Sequence, residues 1–400
     1  MNVLMFCSNR VDGGTVKIFY ETASAIEKKM RGKGRVYICS DQNNPAETYY
    51  KIDRLIRLPV YSEEEVCANM YGGNPAVRIG KRICRKMRYA PVKKHNIKVM
   101  RDFIKKHKAD CVVIHNGGYI GDDLCNQMLR AAYLEKVSKR ICVLHGCLQK
   151  GMLLKLRFFP YDIKLTREAT ELVTVSAFTK RAILNGSFIK KDITIIPNGL
   201  PDIHQLPDAQ SEQKIRLNPD HNNILMIGNF LQNKGQMYYI RMAEKMLQKN
   251  REIDFTIIGN VYDESYYKKC VALIQNLGIE KHVFIYHGIR NASEYIHMFD
   301  VLAVPSVCAE SFGLISVEAM MCGVPVVAFA CGAIPEVVQH GRDGFVVPAG
   351  DVKKMAEKTG WLLSHPQKRI QSGRQCRQDY EEKFRAEIMV NRYLEMIGLQ

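Results

Sequence analysis

Two glutamates, Glu310 and Glu318, stand in "CAESFGLISVEAMMCGVPVVAF" with seven residues between them, in a run that is otherwise apolar and small. An unpaired carboxylate in a core costs several kcal/mol, so the pair asks for a partner. Between them, Gly313 permits an unusual backbone angle or a ligand's close approach. Leu314–Cys322 is helical in pattern. A helix starting there presents free N–H groups and the positive end of its dipole, which favours a phosphate. Glu310 lies before that helix and Glu318 about a turn inside it. Carboxylates accept hydrogen bonds well from sugar hydroxyls. Ser311, Phe312, Gly313 and Leu314 thus form a phosphate seat between two hydroxyl readers, which suits a sugar–diphosphate–ribose molecule. The plainer reading makes Glu318 a helix-start acid and Glu310 an exposed one. Two more loops weigh against it. Lys234 in "IGNFLQNKGQ" follows a strand and precedes a helix, and Gly13-Gly14 in "SNRVDGGTVKIF" holds the equivalent place near the start of the chain.

The elements that must position these residues alternate. "NVLMFC" reads as a strand, "GTVKIFYETASAIEKKM" as a helix and "VYICS" as a strand. A long basic helix is expected around Pro91–Lys108, followed by the strands "CVVIH", "RICVLH", "LVTVS" and "ITIIP" with helices between. "PNGLPDIHQLPDAQSEQKIRLNPDHNN" reads as an interdomain linker. Alternation then restarts with "NILMIG", "DFTIIG", "HVFIYHG", "DVLAVPS", "PVVAFA" and "GFVVPA". Strand–helix alternation means parallel sheets covered on both faces. The expectation is an α/β protein of two doubly wound domains, residues 1–203 and 204–380. A final stretch, 381–400, crosses back to the first domain. Ligands in such sheets bind beyond the carboxyl ends of the strands, so the site is expected in a cleft between two facing domains.

Composition narrows the partners. Residues 1–200 hold 36 Lys+Arg against 18 Asp+Glu, and residues 201–400 hold 22 against 23. The whole basic excess therefore lies in the first half, which points to an anionic partner there. Arg78–Lys108 carries 13 Lys/Arg and one acid, Asp102, interleaved with Ile79, Ile83, Met87, Ile97, Met100 and Ile104. An amphipathic basic surface of this kind suits docking on anionic lipid. A nucleic-acid partner is weighed and set aside, because no recognition motif or aromatic platform accompanies the charge. The thirteen cysteines form no C-x-x-C pair and no zinc spacing, and read as small buried hydrophobes of a reducing compartment. The N-terminus is too quickly polar for a signal peptide, and no window of about 18 residues is apolar enough to span a bilayer. The expected location is cytoplasmic, at most peripheral to the inner face of the membrane.

The ordered set "DGG", "VTVSAFTKRAIL", "ITIIPNG", "IGNFLQNKG", "FTIIG", "HVFIYHG", "DVLAVPSVCAESFGLISVEAMMCGVPVVAFACGAIPEVV" and "GRDGFVVPAGD" resembles the retaining family-four glycosyltransferases. The likeness spans nearly the whole chain and is most specific from Ile224 to Asp351. It implies the GT-B fold, two Rossmann-like domains facing a cleft. It also implies a role for each matching residue. Glu310 would contact the donor sugar and Glu318 the ribose. The amides of Phe312, Gly313 and Leu314 would hold sugar and phosphates, with Lys234 on the diphosphate and Gly13 and Gly14 closing over it. Ile289 and Arg290 would lie near the base. His145 in "VLHG" would approach the sugar, with His115 ranked below it and "HNGGY" lining the acceptor side. One position departs. The family usually has an Arg after the Gly of the "IG" strand, and here Asn229 stands, which cannot supply that charge. Either another cation such as Arg10 assists Lys234, or the leaving group is less stabilised.

The implied reaction moves a hexosyl unit from a nucleotide-diphosphate sugar, a UDP-sugar first, to a glycan or lipid-linked acceptor, with retention. The implied setting is bacterial surface polysaccharide synthesis. The chain has no Asp-x-Asp motif, so no metal and no other cofactor is expected. Within the same fold, an epimerase, a pyridoxal-phosphate phosphorylase and a non-catalytic nucleotide-sugar binder are the alternatives.

Overall fold

A computed structural model describes residues 1–8, 14–44, 54–70, 75–119, 122–146, 152–202, 215, 217–289 and 291–399. The chain forms two compact units: Met1–Pro197 with Met389–Gln400, and Asn198–Ile388. The first boundary thus falls six residues before the expected one. The C-terminal stretch divides at Ile388/Met389, within the helix Ala386–Ile397.

Unit 1 is built on seven strands: β1 (Asn2–Phe6), β2 (Arg35–Asp41), β3 (Leu55–Leu58), β4 (Cys111–Asn116), β5 (Lys139–Leu144), β6 (Glu171–Thr174) and β7 (Ile193–Ile195). They lie in the order β3-β2-β1-β4-β5-β6-β7 and every pair is parallel. Unit 2 has six: β8 (Asn222–Ile227), β9 (Ile253–Ile258), β10 (Val283–Tyr286), β11 (Val301–Val304), β12 (Val326–Phe329) and β13 (Gly344–Val347). Their order is β10-β9-β8-β11-β12-β13, again all parallel. Strands covered on both faces become continuous apolar runs rather than alternating ones. Accordingly β4, β9, β11 and β12 are buried along their whole length. Each fully buried aliphatic side chain stabilises the sheet by roughly 1.5–3 kcal/mol. The strand order reverses between β1 and β4 and between β8 and β11, the places where such sheets open a ligand crevice.

Two expectations are corrected. The basic helix does not begin near Pro91; it runs from Pro75 to His107 with Pro91 inside. Proline deletes one backbone bond and crowds the preceding turn. That loss falls on an exposed face here, since Pro91 is exposed and Met87, four residues earlier, is 72% exposed. The interleaved apolar residues also divide. Met100 and Ile104 are core residues and Ile97 packs against that core, whereas Ile83 and Met87 are exposed. The strand β3 falls in a stretch that reads as irregular, because "LIRL" is too short to show a period.

Candidate functional site

The switch point of unit 2 collects the residues with chemistry. The loop after β8 carries Lys234 and the loop after β11 carries Glu310. Gly235 brings the loops together. Its φ of 83° is left-handed, and a Cβ there would stand 2.0 Å from the Pro305 carbonyl oxygen. Only glycine fits so close an approach. The Val307 N–H donates to the Asn233 carbonyl at 3.0 Å, a second tie between the loops. Lys234 Nζ then reaches Glu310 Oε1 at 2.7 Å, and Ser306 Oγ donates to the same oxygen at 3.0 Å. The backbone of Glu310 is fixed in turn, its carbonyl accepting from Ala333 N–H at 2.8 Å. Both charged side chains remain open to solvent, at 33% for Lys234 and 21% for Glu310.

Two helices start beside this pair. Gln236–Leu247 begins at Gly235 and Leu314–Met321 at Gly313, whose φ of 92° is also left-handed, and neither has a side-chain cap. Two other helices of the unit differ, although Pro366–Asp379 also lacks a side-chain cap. Asp263 caps Glu264–Asn276 and Asp351 caps Val352–Ser364. A side-chain cap satisfies one of the orphan N–H groups at a helix start. Among the described residues, no protein group accepts from the N–H of Phe312, Gly313 or Leu314. These donors and the Lys234 ammonium are therefore a ready anion seat. Ser311 is half-buried, Phe312 packs its ring 5.9 Å from Phe384, and Glu318 lies half-buried inside the helix.

Asn229 serves the loops. Its Oδ1 accepts from Asn260 N–H at 3.1 Å, and Asn260 Oδ1 accepts from Gly288 N–H at 2.9 Å. Gln236 Nε2 donates to the carbonyls of Gly228 and Asn229 at 3.0 and 2.9 Å. The loops after β8, β9 and β10 are thus stitched side by side, with Ile289 half-buried beyond them. Gly13, Arg290 and Arg10 lie outside the described residues, and Gly14 is the exposed first residue of the helix Gly14–Lys29.

In unit 1, His145 directly follows β5. Its Nε2 lies 3.0 Å from Nδ1 of His115 on β4, with the rings stacked at 5.1 Å. Burial lowers the His145 pKa to about 4. Burial first, and then His145 itself, hold His115 well below its usual value. Both rings are therefore neutral near pH 7 and supply polar contacts, not charge. The Nε2 of His115 is buried without a hydrogen bond. The pairing of the two histidines was invisible in the sequence, since 30 residues separate them; adjacent parallel strands ending in His are the signal that could have shown it.

A cavity of about 640 Å³ opens elsewhere in unit 2, lined by Lys245, Met246, Ile253 and Trp361 at the amino ends of β8 and β9. It holds none of these groups, so volume alone does not locate the site.

Known proteins resemble this chain in sequence and in fold. Residues 208–379 match the family model for glycosyl transferases group 1. Among curated relatives, the chain is 30% identical over 185 residues to the N-acetyl-alpha-D-glucosaminyl L-malate synthase of Bacillus anthracis, covering 46% of this chain and 47% of that one. It is 31% identical over 234 residues to the capsular polysaccharide biosynthesis glycosyltransferase CapM of Staphylococcus aureus, covering 55% and 59%. The chain thus spans about half the length of these relatives. The crystal structure of Anabaena Alr3699/HepE in complex with UDP-glucose superposes with a TM-score of 0.76 at 16% identity, over 100% of this chain and 99% of that one. The fold is GT-B, two Rossmann-like parallel-sheet domains.

Proposed function

We propose, for a chain whose residues 208–379 match the family model for glycosyl transferases group 1, that it transfers a hexosyl unit from a nucleotide-diphosphate sugar to a glycan or lipid-linked acceptor with retention. The observation that carries this reading is the Lys234–Glu310 pair between two helix starts without side-chain caps. Lys234 has three N–H donors and spends one on Glu310, leaving two for phosphate oxygens. Glu310 Oε1 takes both protein donors, which leaves Oε2 for a sugar hydroxyl. Glu318 reads the ribose, Ile289 and Arg290 the base.

In the reaction, the bond from the anomeric carbon to the diphosphate oxygen breaks and a bond to the acceptor oxygen forms on the same face. The acceptor's proton passes to the departing diphosphate. Negative charge grows on that diphosphate, and Lys234 with the free N–H groups stabilises it; no metal is assigned to this step. His145, neutral, positions the sugar by hydrogen bonding.

The donor is a UDP-sugar, supported by the UDP-glucose bound by the HepE fold neighbour. The setting is bacterial cell-surface polysaccharide synthesis, supported by the capsule enzyme among the relatives. No described helix is long and apolar enough to cross a membrane. The chain instead docks on an anionic inner membrane face through residues 78–108, where Ile83 and Met87 are 56% and 72% exposed amid Arg82, Lys86 and Arg88.

A thermal-shift panel of UDP-, GDP- and ADP-sugars tests the donor, because a ligand bound at a hundredfold excess over its Kd stabilises by about 2.7 kcal/mol. The expected outcome is a rise in Tm with UDP-sugars, followed by transfer to acceptor. Donor turned over to an epimer without acceptor makes the chain an epimerase. Binding without turnover makes it a sensor or carrier of nucleotide sugar, the reading favoured by an Asn229 side chain engaged with Asn260 rather than a second cation.

A further inference from the structure

The opposite end of the unit 2 sheet holds a second cluster. His221 stands immediately before β8, Asp254 is the second residue of β9, and His282 stands immediately before β10. Register explains why they meet. Asn223 pairs with Asp254 and Phe255 with Val283, which sets His282 beside Asp254. His221 lies two residues before Asn223 and so shares its face of the sheet. The Nδ1 of His221 is 3.1 Å from Asp254 Oδ2, and the Nδ1 of His282 is 3.2 Å from Oδ1. One donor atom from each residue lies within 4.8 Å of the other two.

Among the described residues no Lys or Arg pairs with Asp254. The Asp254 side chain is 7% exposed, and its only ion-pair neighbours among the described residues are the two imidazoles. A buried carboxylate without a cation is costly. Arg369, at the same end of the sheet, is spent on Asp300 at 3.1 Å and on Asn222. The His221 Nδ1 is buried and makes no hydrogen bond despite its closeness to the carboxylate. His282 Nδ1 does share a hydrogen bond with Oδ1, but the His221 nitrogen faces Oδ2 without a shared proton, the posture of two ligands with a cation between them.

We propose that His221, Asp254 and His282 bind one divalent first-row transition ion. Two imidazole nitrogens and one carboxylate oxygen suit Zn²⁺. Tetrahedral Zn²⁺ with ligands at about 2.0–2.1 Å holds donor atoms roughly 3.3 Å apart, close to the two nitrogen–oxygen distances of 3.1 and 3.2 Å in a set bounded at 4.8 Å. The histidines are 22% and 17% exposed, so water completes the coordination. The strands between this end and the Lys234–Glu310 end run six residues in β8 and β9, or roughly 20 Å. The ion therefore does not act on the donor; it clips the edge strand β10 to β9 and β8.

The test uses the full chain, stripped with EDTA and then titrated with Zn²⁺ and, separately, Co²⁺. One equivalent of metal per chain, a Tm higher by roughly 5 °C in excess Zn²⁺, and a visible Co²⁺ absorption band are expected. His221→Ala and Asp254→Asn should each lose the metal and the shift, while His297→Ala, at an exposed site, keeps both. Asp254→Asn removes the buried charge, so it folds without metal and keeps the comparison readable. The proposal is overturned by a wild-type chain that takes up no metal. It is equally overturned if stoichiometry and shift persist in His221→Ala and Asp254→Asn.

Discussion

At the switch point of unit 2 a lysine and a glutamate meet 2.7 Å apart in partial contact with solvent, whereas β4 and β5 of unit 1 bring two histidine rings to 3.0 Å in full burial. The sheets share one parallel topology, yet the carboxyl ends of neighbouring strands carry charge at the β8–β11 switch point of one and neutral rings one strand along, at β4–β5, in the other. Burial decides the difference. Ions keep their charge where water or a counter-ion compensates them, and imidazoles surrendered to a dry interior lose theirs. Among the described residues, the Lys234–Glu310 pair of unit 2 is the one suited to the departing anion of the proposed reaction. Unit 1 can orient uncharged groups. Net charge runs the other way, since the basic excess lies in residues 1–200. Overall charge thus says little about which unit does chemistry.

The sharpest way to break this contrast is to remove the charges in unit 2. Lys234→Ala should lower kcat/KM for transfer about a hundred- to a thousandfold, the range for losing one donor on developing negative charge. Glu310→Gln should fall comparably while donor binding persists. Glu318→Ala should instead raise the donor KM, roughly ten- to a hundredfold, as a lost hydrogen bond to a charged group does. Steady-state kinetics with a UDP-sugar separates the two patterns. If Lys234→Ala and Glu310→Gln both transfer normally, the charged switch point is not the active centre.

The neutral pair is tested by pH. His145 has a folded pKa of about 4 against an ordinary value of 6.5. Between those values the unfolded chain takes up a proton that the folded chain refuses. Stability from this group is therefore fully present above pH 6.5 and is lost as pH falls toward 4. The loss approaches roughly 3 kcal/mol for one such ring. Urea unfolding of wild type and of His115→Gln/His145→Gln, at pH 7 and pH 4.5, measures it. The wild type should lose more stability than the variant over that interval. Equal losses would mean that the rings are not held neutral.

Much of this was legible along the chain because the relevant period is local. Continuous apolar runs gave the parallel strands, and the Glu310–Glu318 spacing marked the loop and helix that hold an anion seat. The contacts across the chain were not legible. Lys234 and Glu310 are 76 residues apart, and the Gly235–Pro305 approach with the Val307–Asn233 bond puts them within bonding distance. Asn229 read as a missing cation, whereas its side chain ties two loops. The His221, Asp254 and His282 cluster shows no metal spacing because each residue comes from a different strand. Its trace is a polar residue at the start of "HNNILMIG", "IDFTIIG" and "HVFIYHG", legible only once the three strands are known to be neighbours. Helix 75–107 was misjudged at its start because a proline signals a helix beginning more often than an exposed kink.

The smallest expected effect concerns the surface of unit 1. The apolar face of helix 75–107 is spent on the core toward its end, and Lys93, Arg101 and Lys105 pair with Asp123 and Glu135. The part left for an anionic partner is the earlier half, where Arg82, Lys86 and Arg88 are exposed beside Ile83 and Met87. These three make no ion pair among the described residues. Each basic side chain near an anionic bilayer contributes about 1 kcal/mol. Arg82→Ala/Lys86→Ala should therefore weaken binding to phosphatidylglycerol vesicles roughly thirtyfold. Lys105→Ala/Lys106→Ala, the same loss of charge at the far end of the helix, should weaken it less. Flotation of both variants separates a localised docking face from a diffuse one. Equal losses would assign the attraction to net charge alone, and unit 1 would then be basic without having a membrane face.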